Sequence, residues 1–374
     1  MGSSFKLFSV LGIDIRLHFT FPLILFWAAL QFGLVGGGLE SALFGVIAIS
    51  LLFVLVTLHE LGHSFAALHF GVPVKQIVLS PIGGVAQLQE IPEKPIQEFI
   101  IAVAGPAVNV AAALVMALFI PVLGLNLGDF TAALSLSAGL TVTAVFAYIF
   151  VYNIFLALFN LIPAFPLDGG RIFRSLLAMK LEYVQATTIA ATVGRAVAVF
   201  MGLYALFNGG IFLVFIAVFV YSAAGQEAAA VRTRHTLRGY AVQDAYSPNA
   251  YTLTPYTTLQ QAANLMMMSG QSNFPVLENE TLVGFVTQQD LSQAMQTRGG
   301  HTWTSMMMRR DVAPVSMSTP LLTVQKRLAT EQLNALPVVE NGRYLGLIGQ
   351  WQIQHFFSLL VNKAGVRPTI IQSA

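Results

Sequence analysis

The segment HELGH at residues 59–63 places three ionisable side chains in an otherwise apolar run. It fits the pattern H-E-x-x-H. Residues four apart share a helix face, so the imidazoles of His59 and His63 can both reach one metal ion. Glu60 can then act as general base toward a water molecule at that metal. Because a short pattern also arises by chance, its meaning depends on the surrounding sequence.

The composition is that of a membrane protein. The 374 residues are 56% hydrophobic and 10% charged, whereas soluble domains are about 25% charged. Ionisable residues inside a membrane span are costly and usually mark function. The chain has no cysteine, so a metal must be held by histidines and carboxylates. A formal net charge of +2 gives no reason to expect a nucleic-acid partner.

Six apolar runs approach the roughly 20 residues that a helix needs to cross a bilayer. They lie at 17–36, 41–69, 98–124, 135–162, 186–207 and 209–228. After about residue 230 the composition becomes that of a soluble protein. We therefore predict a transmembrane domain over 1–230 and a linker over 231–240. No small-residue cleavage site follows the first run, so we expect the amino terminus to be retained.

The basic residues predict the orientation. Lysine and arginine precede the first run and occupy alternate breaks, as at Lys75, Arg171 and Arg232, while the other breaks contain Glu40 and Asp129. By the positive-inside rule, both termini and the soluble part lie in the cytosol. We expect a multi-pass protein of the cell's inner or plasma membrane.

A hydrolytic zinc ion needs a third protein ligand and one open position. Asp168 is the best-placed acid, because the Pro/Gly-broken segment FNLIPAFPLDGGR can fold back toward the histidines. Glu227 is a weaker rival, since no such break accompanies it. Without the histidines, Asp168 would be read as a solvated turn residue.

Together these motifs resemble the site-2 protease family of intramembrane zinc metalloproteases. HELGH is followed later in the chain by the motif N-x-x-P-x-x-x-x-D-G. Asn160 is the first residue of this motif, and Asp168 is its aspartate. AGPAVN supplies Gly105 and Asn109, similar to the G-x-x-x-N of the family's third span. SPIGG at 80–84 resembles its glycine-containing, membrane-dipping loop. The resemblance covers most of residues 5 to 230.

The resemblance implies a polytopic α-helical membrane protein with a membrane-dipping β-type loop. His59, His63 and Asp168 would bind one zinc ion, and Glu60 would act as general base. Asn160 would lie beside the site and donate a hydrogen bond to the developing oxyanion or to the substrate backbone. The substrate would be a single-span or hairpin membrane protein.

Two further elements have open interpretations. Asn109, with Gly105, is either a substrate contact or part of a close helix packing. The segment around Gly83 and Gly84 predicts a short hairpin whose strand edge can hold an extended substrate, or which only connects two spans.

The soluble part contains an internal repeat. Residues 273–291 align without gaps with residues 335–353, an offset of 62 positions. Each copy predicts a strand, a turn, a second strand and a helix. This resembles a tandem pair of cystathionine-β-synthase-type (CBS) domains of α/β fold, which we place at 241–298 and 299–362, with a tail at 363–374.

The two copies differ at the positions that resemble the nucleotide site of such domains. The first has Thr287 and Asp290, which match positions for phosphate and ribose contacts, whereas the second has Gly349 and Gln352. The resemblance implies one site for ATP or another adenine nucleotide, in the first repeat. Alternatively the pair is a structural module, or it forms a homodimer through its helices.

The sequence thus predicts an intramembrane zinc metalloendopeptidase whose cytosolic CBS pair modulates cleavage. Two alternatives remain open. One is a membrane transporter with a regulatory CBS pair, in which buried His, Glu and Asp form an ion path. The other is a protease relative that binds membrane clients without cutting them, although an intact HELGH argues against the latter.

Overall fold

The computed structural model describes residues 4–81, 83–88, 93–134 and 140–363. The chain divides into two compact units, Met1–Ala229 and Ala230–Ala374. The predicted tail from residue 364 onward lies outside the described residues.

The described residues of the first unit form eight helices, and the last of these continues beyond Ala229. They are α1 (Phe21–Gly36), α2 (Leu39–His69), α3 (Pro95–Ala117), α4 (Leu127–Leu134), α5 (Val142–Asn160), α6 (Asp168–Ala178), α7 (Tyr183–Phe207) and α8 (Ile211–Leu237). In the described part of the chain, five are long and apolar enough to cross a membrane: α2, α3, α5, α7 and α8. These correspond to the second to sixth predicted spans.

The first predicted span, 17–36, differs from the structure. Its helix α1 has 16 residues and begins at Phe21, with proline in the first turn, so it is shorter than the other five. The residues before it form a strand instead. The segment IDIRLH alternates buried Ile13 and Ile15 with the more exposed Asp14 and Arg16, which is the period of a strand.

A four-stranded sheet packs on this helical unit. Its strands are β1 (Ser4–Val10), β2 (Ile13–His18), β3 (Val74–Ser80) and β4 (Gly83–Leu88), in the order β1-β2-β3-β4. β2 and β3 pair in parallel, and the other two pairs are antiparallel. The hairpin predicted around Gly83 and Gly84 is therefore confirmed as β3 and β4, with β4 at the edge of the sheet.

Glycines allow the helices that carry the motifs to approach closely. A Cβ atom on Gly62 of α2 would lie 2.8 Å from the carbonyl oxygen of Ala104 on α3. A Cβ on Gly169 of α6 would lie 2.3 Å from the carbonyl oxygen of Ile162. The chain between α5 and α6 therefore turns back tightly, which brings the start of α6 against the end of α5.

Large apolar side chains cover the outer surfaces of α7 and α8. Phe200, Phe207, Phe212 and Phe215 are each at least 67% exposed. Surface of this kind suits contact with lipid rather than with water.

The second unit contains the two predicted repeats. The first has α9 (Leu259–Ser269), β5 (Asn273–Glu278), β6 (Thr281–Thr287) and α10 (Gln288–Arg298); the second has α11 (Leu321–Glu331), β7 (Ala335–Glu340), β8 (Arg343–Gly349) and α12 (Gln350–Lys363). The predicted strand, turn, strand and helix are confirmed in both copies, at the predicted offset.

Each repeat has its own apolar core. Phe274 and Val286 are fully buried in the first, and Leu336 and Ile348 are their counterparts in the second. Residues 231–237 of the predicted linker are helical, because α8 continues to Leu237.

Candidate metal centre

Three buried side chains predicted as metal ligands meet inside the helical unit. The Nε2 atoms of His59 and His63 lie 3.1 and 3.2 Å from Oδ2 of Asp168, and 3.1 Å from each other. α2 supplies both imidazoles, while the first residue of α6 supplies the carboxylate. Within the described ranges, His59, His63 and Asp168 form a group whose ligand atoms lie close enough together to hold one metal ion.

The spacing of the three atoms fits zinc. Zinc bonds to nitrogen and oxygen are about 2.0–2.1 Å, so the ligand atoms of a tetrahedral site lie about 3.3 Å apart. The observed separations of 3.1–3.2 Å match that edge. Two imidazoles and one carboxylate leave a fourth position open, as in hydrolytic zinc sites.

Hydrogen bonds at Nδ1 orient both imidazoles. His59 Nδ1–H donates to Oδ1 of Asn109, and His63 Nδ1–H donates to the carbonyl oxygen of Ile101 (2.7 Å). With each Nδ1 acting as donor, the unprotonated Nε2 atoms face Asp168 and remain available to a metal. This contact of Asn109 with the His59 imidazole is neither of the two predicted interpretations, and the substrate contact stays a prediction.

A second amide continues this network. Asn109 Nδ2 donates to Oδ1 of Asn153 on α5 (2.7 Å), and Asn153 Nδ2 donates to the backbone oxygen of Asn109 (2.8 Å). Asn153 is fully buried. Asn153 is not among the predicted site residues, although an asparagine in the middle of an apolar run is a usable signal.

Gly105 forms the wall of α3 that faces the imidazoles. A Cβ atom there would lie 2.2 Å from Nε2 of His63 and 2.7 Å from Nε2 of His59. Any side chain at this position would occupy the place of the ligand atoms themselves. Gly105 is therefore a close-packing residue.

Glu60 lies between the histidines and the sheet. Its Oε2 accepts a hydrogen bond from the backbone N–H of Ala86 on β4 (3.3 Å). A Cβ on Gly84 would lie 2.8 Å from Cγ of Glu60. The edge strand thus runs beside the carboxylate, and Gly84 makes room for it.

Two other predicted residues lie elsewhere. The side chain of Asn160 donates to the backbone oxygen of Leu156 in its own helix (3.1 Å). Its role at the site stays a prediction. Glu227 binds Arg174 on α6 rather than joining the ligand group, so its candidacy as a ligand loses its basis.

In the second unit, Thr287 and Asp290 cap helix α10. Thr287 Oγ1 donates to Oδ2 of Asp290 (2.7 Å), and the Asp290 N–H donates to Thr287 Oγ1 (3.1 Å). In the second repeat, a Cβ on Gly349 would lie 2.4 Å from the Asn334 carbonyl oxygen, so no threonine fits there without rearrangement.

A cavity of about 330 Å³ opens next to β6. Gly284, Arg309 and Arg310 are among its lining residues, but Thr287 and Asp290 are not. Arg309 donates hydrogen bonds to the Asp311 carboxylate, and these bonds, together with the charge of Asp290, raise the pKa of Arg309. The same contact lowers the pKa of Asp311. Asp290 is thus close enough to the cavity for its charge to act on a lining arginine.

Each of the two units matches a known protein family. Residues 47–201 match peptidase family M50, and residues 242–297 and 304–358 match the CBS domain. A zinc metalloprotease of Methanocaldococcus jannaschii is 33% identical over 96% of this chain and 98% of its own length. A protein of Synechocystis named as a zinc metalloprotease is 28% identical over 93% of this chain and 94% of its own.

A solved structure, the site-2 protease from Methanocaldococcus jannaschii, is 37% identical to this chain. The match covers 60% of this chain and 95% of that one, with a TM-score of 0.44.

Gly105→Ala is expected to lower zinc affinity at least about tenfold, because the added methyl group displaces both imidazoles. Zinc content of the detergent-purified protein measures this. Gly202→Ala is the matched control, since a Cβ there would make an ordinary 3.5 Å contact with Ala217. An equal zinc content in Gly105→Ala and Gly202→Ala would contradict the close contact assigned between Gly105 and the two imidazoles.

Asn153→Leu is expected to weaken zinc binding about 10–100-fold, because Asn109 loses the partner that orients it toward His59. Competition with a chelator gives the affinity. Asn160→Leu, whose amide bonds only within its own helix in the described contacts, should retain zinc. If Asn160→Leu lost zinc and Asn153→Leu kept it, the roles assigned to these two residues would be wrong.

Proposed function

This chain belongs to peptidase family M50, the site-2 protease family, and we propose that it hydrolyses peptide bonds within or near the membrane-spanning segments of other membrane proteins. The observation that carries the proposal is that His59 and His63, on a helix able to cross a membrane, meet Asp168 in a zinc-sized arrangement. It is an integral membrane metalloprotease with a CBS domain pair.

Bound zinc would supply Lewis-acid activation of water and of the scissile carbonyl group. His59, His63 and Asp168 would hold the ion. Glu60 would accept the proton of the attacking water and pass it to the departing amine. The Ala86 N–H donates a hydrogen bond to the Glu60 carboxylate and so restrains its position.

The edge strand β4 is the proposed place for the substrate. A helical segment hides its peptide bonds in its own hydrogen bonds, so it must be extended before water can attack. Pairing with an exposed strand edge stabilises an extended peptide. Gly83, with φ of 124°, begins β4 in a backbone conformation that suits glycine, and the strand then passes Glu60 at Gly84.

The remaining roles follow from the same proposal. Asn160 would donate a hydrogen bond to the oxyanion or to the substrate backbone. The substrate would be a single-span or hairpin membrane protein, and both termini and the CBS pair would face the cytosol. The alternatives of a transporter or of a non-cleaving relative predict that the wild-type protein itself cleaves no membrane-spanning reporter.

For the CBS pair we infer an adenine nucleotide site in the first repeat that modulates cleavage. Asp290 at the start of α10 and the arginines of the neighbouring cavity supply a ribose acceptor and phosphate-binding cations. The second repeat lacks the acidic residue, having Gln352. Pairing of two chains through the CBS helices is a further part of this proposal.

Glu60→Gln should abolish cleavage of a membrane-spanning reporter, by about 10²–10⁴-fold, because the amide cannot accept the proton. The same protein should keep zinc, whereas Asp168→Ala should lose zinc and cleavage together. Zinc content and cleavage are measured in the same samples. Cleavage by Glu60→Gln, or a zinc-loaded Asp168→Ala protein, would refute these assignments.

Asp290→Ala should weaken ATP or AMP binding by at least about tenfold, since a hydrogen bond to a charged group contributes about 1.5–3 kcal/mol. Isothermal titration of the full chain measures it. Gln352→Ala, at the matching position of the second repeat, should bind as the wild type does. The one-site proposal fails if the two variants weaken binding equally.

A further inference from the structure

The first unit contains a buried charge cluster that the proposed reaction does not use. Arg174 on α6 and Glu98 on α3 are each 1% exposed. Arg174 Nε donates to Oε1 of Glu98 (2.9 Å), and Nη2 donates to the same oxygen. Its Nη1 donates to Oε1 of Glu227 on α8, whose side chain is 36% exposed.

Two aromatic rings complete the surroundings of this guanidinium. Its central carbon lies 4.8 Å from the ring centroid of Phe165 and 5.0 Å from that of Tyr183, the first residue of α7. Such contacts attract a cation to the ring faces. One side chain of α6 therefore contacts α3, α7, α8 and the turn that precedes α6.

This cluster is connected to the metal centre along two elements. Arg174 lies six residues after Asp168 on α6, about 9 Å along the helix at 1.5 Å per residue. Glu98 lies seven residues, two helical turns, before Gly105, which faces both imidazoles. The Arg174–Glu98 pair thus joins the helix that carries one ligand to the helix that packs against the other two.

The first turn of α6 is held by backbone packing at its glycines and by few side chains. Gly169 and Gly170 have no side chains, and Arg171 is half-buried, with no ion pair found for it in the described residues. After Asp168, Arg174 is the first side chain on α6 that is fully buried and bonded to other helices.

We propose that Arg174 is a positioning residue for the metal centre. Its fork of donors fixes α6 against α3 and α8, and this fixes the distance of the Asp168 carboxylate from the two imidazoles. The inference rests on the proposed zinc site and assigns Arg174 no contact with zinc or substrate.

Removing Arg174 alone would leave Glu98 buried and unpaired, which destabilises any fold. The informative variant is therefore the double variant Arg174→Met/Glu98→Leu. It removes both buried charges together, and replacing a buried ion pair by well-packed apolar residues of similar volume is often tolerated. A merely structural pair would leave zinc affinity unchanged in this variant.

The experiment compares zinc affinity, from chelator competition, with thermal unfolding in the full chain. We expect the double variant to unfold near the wild-type temperature and to bind zinc about tenfold more weakly. Glu227→Gln removes the charge of the partly exposed partner of Arg174 and should show a smaller loss of zinc affinity. Arg171→Gln is the matched control, because it removes an arginine that is closer to Asp168 in sequence than Arg174 is. This variant should bind zinc as the wild type does.

Wild-type zinc affinity in a folded double variant would overturn the role of Arg174, as would an equal loss in Arg171→Gln. A wild-type protein that binds no zinc would instead overturn the proposed function. The two failures are therefore distinguishable in one set of samples.

Discussion

The metal centre depends on one constraint: an imidazole buried among apolar helices must have a partner for each ring nitrogen. The Nδ1–H groups of His59 and His63 are satisfied by Asn109 and by the Ile101 carbonyl, both on α3. Both Nε2 atoms are thereby directed at Asp168. The position of α3 thus determines which atoms of α2 can bind a metal, and Asn153 extends this control to α5.

The same constraint explains the glycines of this unit. At this site, glycines let the backbones of neighbouring elements come close enough for short polar side chains to meet. Gly105 faces the imidazoles, Gly169 lies against the end of α5, and Gly84 admits the Glu60 carboxylate beside β4. Each of these glycines places a polar group, so the residues without side chains shape the site as much as the ligands do.

The second unit shows how a repeated fold diverges in its chemistry. The two copies share element bounds at a constant offset, from α9 and α11 through β6 and β8. The first copy ends its second strand with Thr287, which caps the following helix together with Asp290, while the second has a crowded Gly349. Apolar core positions stay equivalent because packing requires it, whereas the polar residues at the helix start are free to differ.

The sequence by itself determined the three candidate ligands that meet in the structure, the long apolar helices after the first predicted span, the β3–β4 hairpin and the tandem repeat. These follow from local patterns: a four-residue helical spacing, apolar length, glycine-centred turns and an exact 62-residue offset. Only the tertiary structure decided that β1 and β2 join the sheet, since strand pairing with β3 depends on residues some 60 positions away. It also decided the contacts of Asn153, Arg174 and Glu227, because hydrogen bonds between distant helices leave no periodic trace in a sequence.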